Sequence, residues 1–282
     1  YSAGHISSQE GRELIEALAP LMPGQRLYPG VSYRNLLVLQ AGARAECTPP
    51  HDISDQPVAE HLPRGQDSEL LMALMEAAQP VLEKHPVNRR RITAGKRPAN
   101  AIWFWGQGPA PAMPSFARKY GLSGAMISAV DLLKGIGRYA GLEVIDVPGA
   151  TGNIDTNYQG KVDAALQALQ SGDFVYLHIE APDEAGHEGE IDLKVKAIEL
   201  FDQNVVGPVL QALKKSGEEW RVLLMPDHAT PIAIKTHSSD PVPFTIAGSR
   251  IEPDGVERFD EAAARAGGYG LVEATKLVGM MR

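Results

Sequence analysis

Apolar and polar positions alternate along the second part of the chain so that predicted strands and helices take turns. Short apolar runs bounded by turn residues predict strands at 125–128, 143–147, 174–179 and 221–225. Helical spacing of apolar residues predicts helices at 115–120, 130–140, 156–170 and 192–215. This alternation is typical of a mostly parallel sheet covered by helices on both faces, so residues 96–282 are predicted to form a doubly wound α/β domain.

The first part of the chain has a different pattern. Apolar spacing predicts helices at 11–21 and 68–85 and a strand at 31–39, which together indicate a smaller α+β domain over residues 1–95. A basic stretch follows, from Arg89 to Arg97. It could be a nucleic-acid patch, but the net charge of −8 favours a charged hinge between two lobes.

Polar side chains with metal-ligand chemistry follow the strand at 174–179. Asp183 and His187 come directly after that strand, four residues apart. Ligands of open α/β sheets collect outside the carboxyl ends of strands, so a carboxylate and an imidazole placed there can converge on one cation. The alternative is an exposed loop that carries an ordinary i, i+4 pair.

A second predicted strand ends in the same chemistry. The run at 221–225 is followed by Pro226 and then by Asp227 and His228, and His237 lies in a proline-containing loop shortly after. Mixed oxygen and nitrogen ligands suit Mn, Zn or Fe better than Ca or Mg alone. Five such ligands favour two ions over one, although a pair of ions would need a further carboxylate from elsewhere. Two adjacent divalent ions are the usual device for in-line phosphoryl chemistry.

Composition narrows the class of protein. With 282 residues, 44% of them hydrophobic and 22% charged, the chain can bury one large core or two smaller ones. The net charge of −8 argues against a nucleic-acid partner, and no apolar run is long enough to cross a bilayer. The single cysteine, Cys47, cannot form an internal disulfide, which fits a cytoplasmic location.

Several longer motifs accompany these residues. They are the segments 103–108, 128–137, 147–152, 155–158 and 178–187, together with Asp227, His228 and His237. In combination they resemble the metal signature of the alkaline phosphatase superfamily, and within it the archaeal-type branch of the cofactor-independent phosphoglycerate mutases. The resemblance implies an alkaline-phosphatase-type core over 96–282, with residues 1–95 as the inserted substrate lobe.

The resemblance also implies an activity. Family members interconvert 3-phosphoglycerate and 2-phosphoglycerate in glycolysis and gluconeogenesis without 2,3-bisphosphoglycerate, through a phosphoserine intermediate and two divalent ions. Manganese is favoured here, with zinc, cobalt or magnesium as alternatives. By analogy, Asp183, His187 and His237 bind one ion, and Asp227 and His228 bind the other.

The family's nucleophilic serine and one aspartate ligand have no matching position in this sequence. Tyr1 already falls within what resembles the inserted lobe, so both groups are expected upstream of it. Two other functions stay open at this point. One is a metal-dependent phosphatase or phosphodiesterase of the same superfamily, and the other is a non-catalytic relative.

Substrate-binding candidates come from both domains. The lobe offers His5, Arg34 and the adjacent pair His51 and Asp52, and the core offers the cations Lys134 and Lys161. For each of them the alternative is a solvated surface or turn residue. The glycine-rich segments 106–108 and 148–152 lack the pattern of a nucleotide-binding loop and are expected to shape loops at the strand ends. The oligomeric state is left open.

Overall fold

The computed structural model describes residues 1–40, 43–53 and 56–281, except for the side chains of residues 51 and 52. The chain divides into two compact units, Tyr1–Pro111 and Ala112–Arg282. The boundary expected between residues 95 and 96 concerns the family's inserted lobe and stays a prediction.

Three helices and one small sheet make up the first unit. In its described residues these are α1 (Ser8–Leu18), α2 (Ser68–Lys84) and α3 (Pro86–Thr93), which contact one another, and an antiparallel pair of strands, β1 (Arg26–Tyr28) and β2 (Leu36–Val38), of which β1 contacts α1. Helix α1 begins with a capping box in which Ser7 and Glu10 satisfy each other's backbone N–H groups. The core of the unit consists of Ile6, Leu14, Leu18, Ala78, Leu82 and Val87.

The predicted strand at 31–39 is wrong over its first half. Residues 31–34 form a turn in which the Arg34 N–H donates to the Val31 carbonyl at 3.0 Å. The Asn35 side chain then accepts from the Gly30 N–H at 3.1 Å, and only Leu36–Val38 is extended as β2. Local hydrogen bonds of this kind override an apolar pattern, and they place Arg34 outside the sheet.

The basic stretch contains one buried side chain. Arg91, on α3, has 2% of its surface exposed, and its guanidinium donates to the Glu10 carboxylate at 2.7 Å and to the Arg97 carbonyl at 2.9 Å. It also donates to the carbonyl of Ala3. Arg91 therefore stabilises the first unit from within, a role that the run of charges did not indicate.

A three-stranded parallel sheet organises the second unit. Strand β3 (Gly124–Ile127) lies at its centre, with β4 (Glu143–Ile145) on one side and β5 (Phe174–Leu177) on the other. Helix α4 (Phe116–Tyr120) precedes the sheet, and helices α5 (Asp131–Tyr139) and α6 (Tyr158–Ala168) connect its strands and pack against β3. The predicted alternation of strands and helices in a mixed α/β fold is confirmed.

The chain then continues through a helical stretch into a second sheet. Helix α7 (Ala181–Glu188) is followed by α8 (Ile191–Phe201) and α9 (Gly207–Ser216), and β6 (Arg221–Leu224) pairs antiparallel with β7 (Thr245–Gly248). The short helices α10 (Glu261–Ala264) and α11 (Ala274–Met280) end the described chain. Within the described ranges, no helix is both long and apolar enough to span a membrane.

The helix predicted at 192–215 is one helical run with a wide turn inside it. Residues Asp202–Val206 form a π-helical turn between α8 and α9. Pro208 follows directly, at the start of α9, and has no N–H to donate to the preceding turn. Such a turn is a common way to accommodate a local break in the helical hydrogen bonds.

Candidate metal centre

Helix α7 carries two of the predicted ligands on one face. Asp183 lies in its first turn and His187 in its last, so the i, i+4 spacing points both side chains the same way. The helix begins just after β5, with Pro182 in its first turn, where a missing N–H costs nothing. Helix α7 has only eight residues, and most of them are polar or small, so its sequence shows no helical periodicity of apolar positions.

The His237 loop brings a third ligand to this face. Asp183 Oδ2 lies 3.3 Å from His187 Nε2, and Asp183 Oδ1 lies 3.5 Å from His237 Nε2. The two Nε2 atoms are 3.1 Å apart. The three side chains thus converge at one point, as the sequence grouping requires, while their role as metal ligands stays a prediction.

The chemistry of this donor set fits a divalent transition metal. Metal–ligand bonds of about 2.0–2.2 Å place neighbouring corners of a tetrahedron or octahedron roughly 2.8–3.6 Å apart. The two Nε2 atoms are 3.1 Å apart, and each lies 3.3 or 3.5 Å from a different oxygen of Asp183, so each separation lies inside that range. Two facing nitrogens at 3.1 Å also need either a proton or a cation between them, because each Nε2 lone pair repels the other.

The main chain orients one of these imidazoles. His187 Nδ1 lies 3.0 Å from the Lys235 carbonyl oxygen, which can only accept a hydrogen bond. The proton of a neutral His187 is therefore on Nδ1, and its Nε2 lone pair faces Asp183 and His237. A carbonyl behind a ligating histidine is the usual arrangement around protein-bound metals.

Asp227 and His228 border this cluster. His228 Nε2 lies 3.7 Å from the Asp227 carboxylate, and the His228 ring lies against His237 in a tilted arrangement with centroids 3.9 Å apart. A backbone bridge between Ala229 and Ser238 holds the two loops together. The second predicted pair is thus next to the first triad, with His228 in contact with His237.

Thr230, which sequence reasoning did not single out, lies between the two groups. Its hydroxyl donates to Asp183 Oδ1 and lies 3.3 Å from His228 Nδ1. Its carbonyl accepts from the Lys194 ammonium at 2.6 Å. Burial lowers the pKa of Lys194, and the charges of Asp183 and Glu261 oppose that shift. Nothing about a threonine two residues beyond a histidine distinguishes it in the sequence.

Two further acidic side chains flank Asp183. Carboxylate oxygens of Glu180, Asp183 and Glu184 lie within 4.8 Å of one another. Their proximity follows from the helical spacing at the start of α7.

A half-buried histidine and a buried lysine lie near the predicted metal ligands. His178 follows β5, and its Nδ1 is 3.2 Å from the Ser128 hydroxyl. Burial lowers the pKa of His178, with Asp227 opposing. Lys161 is fully buried and donates to the His178 carbonyl at 3.2 Å. Burial likewise lowers the pKa of Lys161, while the charge of Glu180 opposes it.

The two predicted core lysines have different surroundings. Lys134 donates to Asp146 at 2.7 Å, and this contact lowers the pKa of the Asp146 carboxyl. Lys161 is not the solvated helix residue that was considered as its alternative, since none of its surface is exposed. The two ammonium groups are close enough for the charge of Lys134 to contribute to the lowered pKa of Lys161.

The candidates in the first unit lie on turns. His5 is exposed, with a backbone φ of 52°. The Arg34 guanidinium is 4.8 Å from the centroid of the Tyr33 ring. His51 and Asp52 belong to a short 3₁₀ segment, Pro50–Ile53, and their side chains lie outside the described structure. Substrate binding by these four residues stays a prediction.

Comparison with known proteins gives this geometry a context. Residues 33–281 match the model of the Metalloenzyme superfamily. A 2,3-bisphosphoglycerate-independent phosphoglycerate mutase of Methanothrix thermoacetophila is 62% identical over 281 residues, which cover 100% of this chain and 72% of the relative. The chain belongs to the 2,3-bisphosphoglycerate-independent phosphoglycerate mutase family. The resemblance read from the sequence motifs is confirmed.

A second relative and two solved structures support the same family. The Methanosarcina acetivorans enzyme of the same name is 54% identical over 286 residues, covering 100% of this chain and 72% of the relative. Among solved structures, a protein of Pyrococcus horikoshii superposes with a TM-score of 0.80 at 30% identity, over 100% of this chain and 70% of that one. The cofactor-independent phosphoglycerate mutase of Thermoplasma acidophilum superposes with a TM-score of 0.60 at 26% identity, over 99% of this chain and 71% of that one. The fold is that of the metal-dependent mutases.

Proposed function

We propose that this chain forms the metal-binding part of a cofactor-independent phosphoglycerate mutase, which interconverts 3-phosphoglycerate and 2-phosphoglycerate. The observation that carries the proposal is the convergence of Asp183, His187 and His237 at 3.1–3.5 Å in a chain of this family. Asp183, His187 and His237 hold one divalent ion, and Asp227 and His228 contribute to a second. When bound, such ions activate an attacking oxygen and neutralise the oxygens of the transferred phosphoryl group.

Positively charged side chains near the predicted ligands favour an anionic substrate. Lys134 and Lys161 supply this charge, and Lys134 keeps a quarter of its side-chain surface exposed. An exposed ammonium can bind a phosphate or carboxylate oxygen as a point charge. We assign both Lys134 and Lys161 to substrate binding, and the Lys161 ammonium also donates to the His178 carbonyl at 3.2 Å, just after β5. His5, Arg34, His51 and Asp52 are proposed to bind substrate from the lobe.

Manganese is the proposed metal, as the family resemblance favours, with zinc, cobalt or magnesium as alternatives; the mixed imidazole and carboxylate ligands argue against calcium. The phosphoryl group is proposed to pass through a serine nucleophile, as the family resemblance implies. We further propose that the protein acts in glycolysis and gluconeogenesis, in the cytoplasm.

A coupled assay tests the proposal. The chain is joined at its amino terminus to the corresponding additional segment of the Methanothrix relative, and 3-phosphoglycerate is supplied without 2,3-bisphosphoglycerate. Formation of 2-phosphoglycerate is followed through enolase with Mn²⁺, Co²⁺, Zn²⁺ or Mg²⁺. We expect turnover by the extended protein and loss of turnover in its His187→Ala variant.

The other outcomes separate the alternatives. Release of inorganic phosphate without 2-phosphoglycerate would favour a phosphatase. Absence of bound transition metal in the extended protein would favour a non-catalytic relative.

A further inference from the structure

Thr230 is the one side chain that hydrogen-bonds to Asp183 while also lying within hydrogen-bonding range of His228, among the contacts of the described residues. It has only 5% of its surface exposed. We propose that Thr230 is a positioning residue, which fixes the tautomer of His228 and links the two metal-binding groups through a single hydroxyl. This inference rests on the proposed metal-binding function of Asp183 and His228.

The direction of the hydrogen bonds follows from their chemistry. An ionised carboxylate can only accept, so the single hydroxyl proton of Thr230 is donated to Asp183 Oδ1. The Thr230 oxygen keeps its lone pairs and accepts from His228 Nδ1, 3.3 Å away. His228 Nδ1 is 4.0 Å from Asp183, too far for a direct hydrogen bond, so the hydroxyl is the relay between them.

The consequence is a defined tautomer. With its proton on Nδ1, neutral His228 has its lone pair on Nε2, the atom that lies 3.7 Å from Asp227. Only that nitrogen can then bind a metal together with Asp227. The Lys235 carbonyl fixes the same tautomer in His187. Both imidazoles therefore present an Nε2 lone pair, although different groups hold their Nδ1 protons.

The Thr230 backbone is anchored, which a positioning role requires. Its carbonyl accepts from Lys194, on α8, at 2.6 Å. Gly186, on α7, lies so close that a Cβ placed there would be 2.7 Å from the Thr230 carbonyl oxygen. Thr230 is therefore held between two helices, and its hydroxyl has little freedom to follow a displaced partner.

Two substitutions separate the hydroxyl from the shape of the side chain. Thr230→Val keeps the size and branching but removes the hydrogen bonds, whereas Thr230→Ser keeps the hydroxyl. We expect Thr230→Val to weaken Zn²⁺ binding, titrated against a chromophoric chelator, by about 10–100-fold, the range found when partners of metal ligands are removed. Thr230→Ser should stay within a few-fold of the original protein.

Thr156→Val is the matched control. Thr156 is also buried, with 4% of its surface exposed, but its hydroxyl accepts from the Thr151 N–H and contacts no predicted ligand. It should lower the melting temperature to a similar extent as Thr230→Val and leave Zn²⁺ affinity unchanged. A loss of affinity in both valine variants would assign the effect to general destabilisation and overturn the proposal.

The tautomer itself supplies a second measurement, which needs no metal. Long-range ¹H–¹⁵N correlation spectra of the metal-free chain should show His228 protonated on Nδ1, and the Thr230→Val spectrum should show a mixture of both tautomers. An unchanged tautomer, unchanged Zn²⁺ affinity in Thr230→Val, or a serine variant no better than valine would each overturn the inference. Failure of the original chain to bind Zn²⁺ would instead overturn the metal-binding function.

Discussion

Replacing Gly186 with alanine should weaken metal binding, because it forces α7 away from Thr230. A Cβ at this position would lie 2.7 Å from the Thr230 carbonyl oxygen, 2.9 Å from Lys194 Nζ and 3.0 Å from Thr230 Cγ2. The lysine end can move, but the carbonyl belongs to the main chain. Helix α7 and the Thr230 segment must therefore separate by several tenths of an ångström.

The expected magnitude combines two opposing effects. Alanine in place of glycine inside a helix gains about 0.8–1.0 kcal/mol from backbone propensity. Overpacking against a fixed neighbour costs about 1–3 kcal/mol. The net change should be a loss of stability of roughly 0–2 kcal/mol. The larger effect should be on metal affinity, because Asp183 and His187 move with α7 while His228 and His237 do not.

Gly135→Ala is the matched control. Gly135 lies in the interior of α5, and a Cβ added there would have no atom within 4 Å. Gly135→Ala should gain the higher helix propensity of alanine without a steric clash. Its free energy of unfolding should therefore rise by up to about 1 kcal/mol. Urea unfolding gives both free energies, and Zn²⁺ titration against a chromophoric chelator gives both affinities.

Tenfold or greater weakening of Zn²⁺ binding in Gly186→Ala, with none in Gly135→Ala, would support the arrangement of helix and loop described above. A Gly186→Ala protein that is as stable as Gly135→Ala and binds Zn²⁺ as tightly as the original chain would refute the reasoning. It would mean that the close approach of α7 to Thr230 does not control the ligand positions.

Two further substitutions test the histidine and the lysine near the predicted metal ligands. Because burial lowers the pKa of His178, the unfolded chain gains a proton there that the folded chain does not, so stability should fall as pH drops below about 6.5. In metal-free protein, His178→Gln should reduce this loss, measured by urea midpoints at about pH 7.5 and 5.5; equal pH dependence in both proteins would contradict it. Lys161→Met should cost about 1–3 kcal/mol, because the His178 carbonyl loses its buried donor. A methionine variant as stable as the original chain in urea would count against that contact.

The predicted metal ligands could be found from the sequence because a general rule of sheet topology applied to them. Asp183 follows β5 and Asp227 follows β6, each within a few residues of the strand's carboxyl end. Polar groups that follow the carboxyl ends of strands are exposed there. In the described structure β5 and β6 belong to different sheets, so the single common edge assumed from the sequence is not formed, but the rule still picks out both pairs of residues. The rule needs only the apolar runs and the residues after them, and both are visible in a single sequence.

The groups that orient those ligands could not be found in the same way. Thr230 and Lys194 acquire their roles from contacts made across the fold, with Asp183 and with the Thr230 carbonyl. Lys161 has the spacing of an ordinary helix lysine, and only the packing of α6 shows that it is buried. Neither composition nor periodicity carries information about such long-range partners.

Local hydrogen bonding accounts for the errors in secondary structure. The turn at residues 31–34 depends on the Asn35 side chain and on a positive φ at Ser32, and the apolar pattern of the segment does not reveal either. The π turn before Pro208 interrupts a helix whose side chains keep helical spacing on both sides. Both errors shift element boundaries and leave the fold class unchanged.

The most direct test is a crystal of the protein soaked with Mn²⁺ and measured at the manganese absorption edge. The account predicts an anomalous peak among the Asp183 carboxylate and the Nε2 atoms of His187 and His237. A soaked crystal with no peak at that position, or with manganese bound only at other residues, would contradict it.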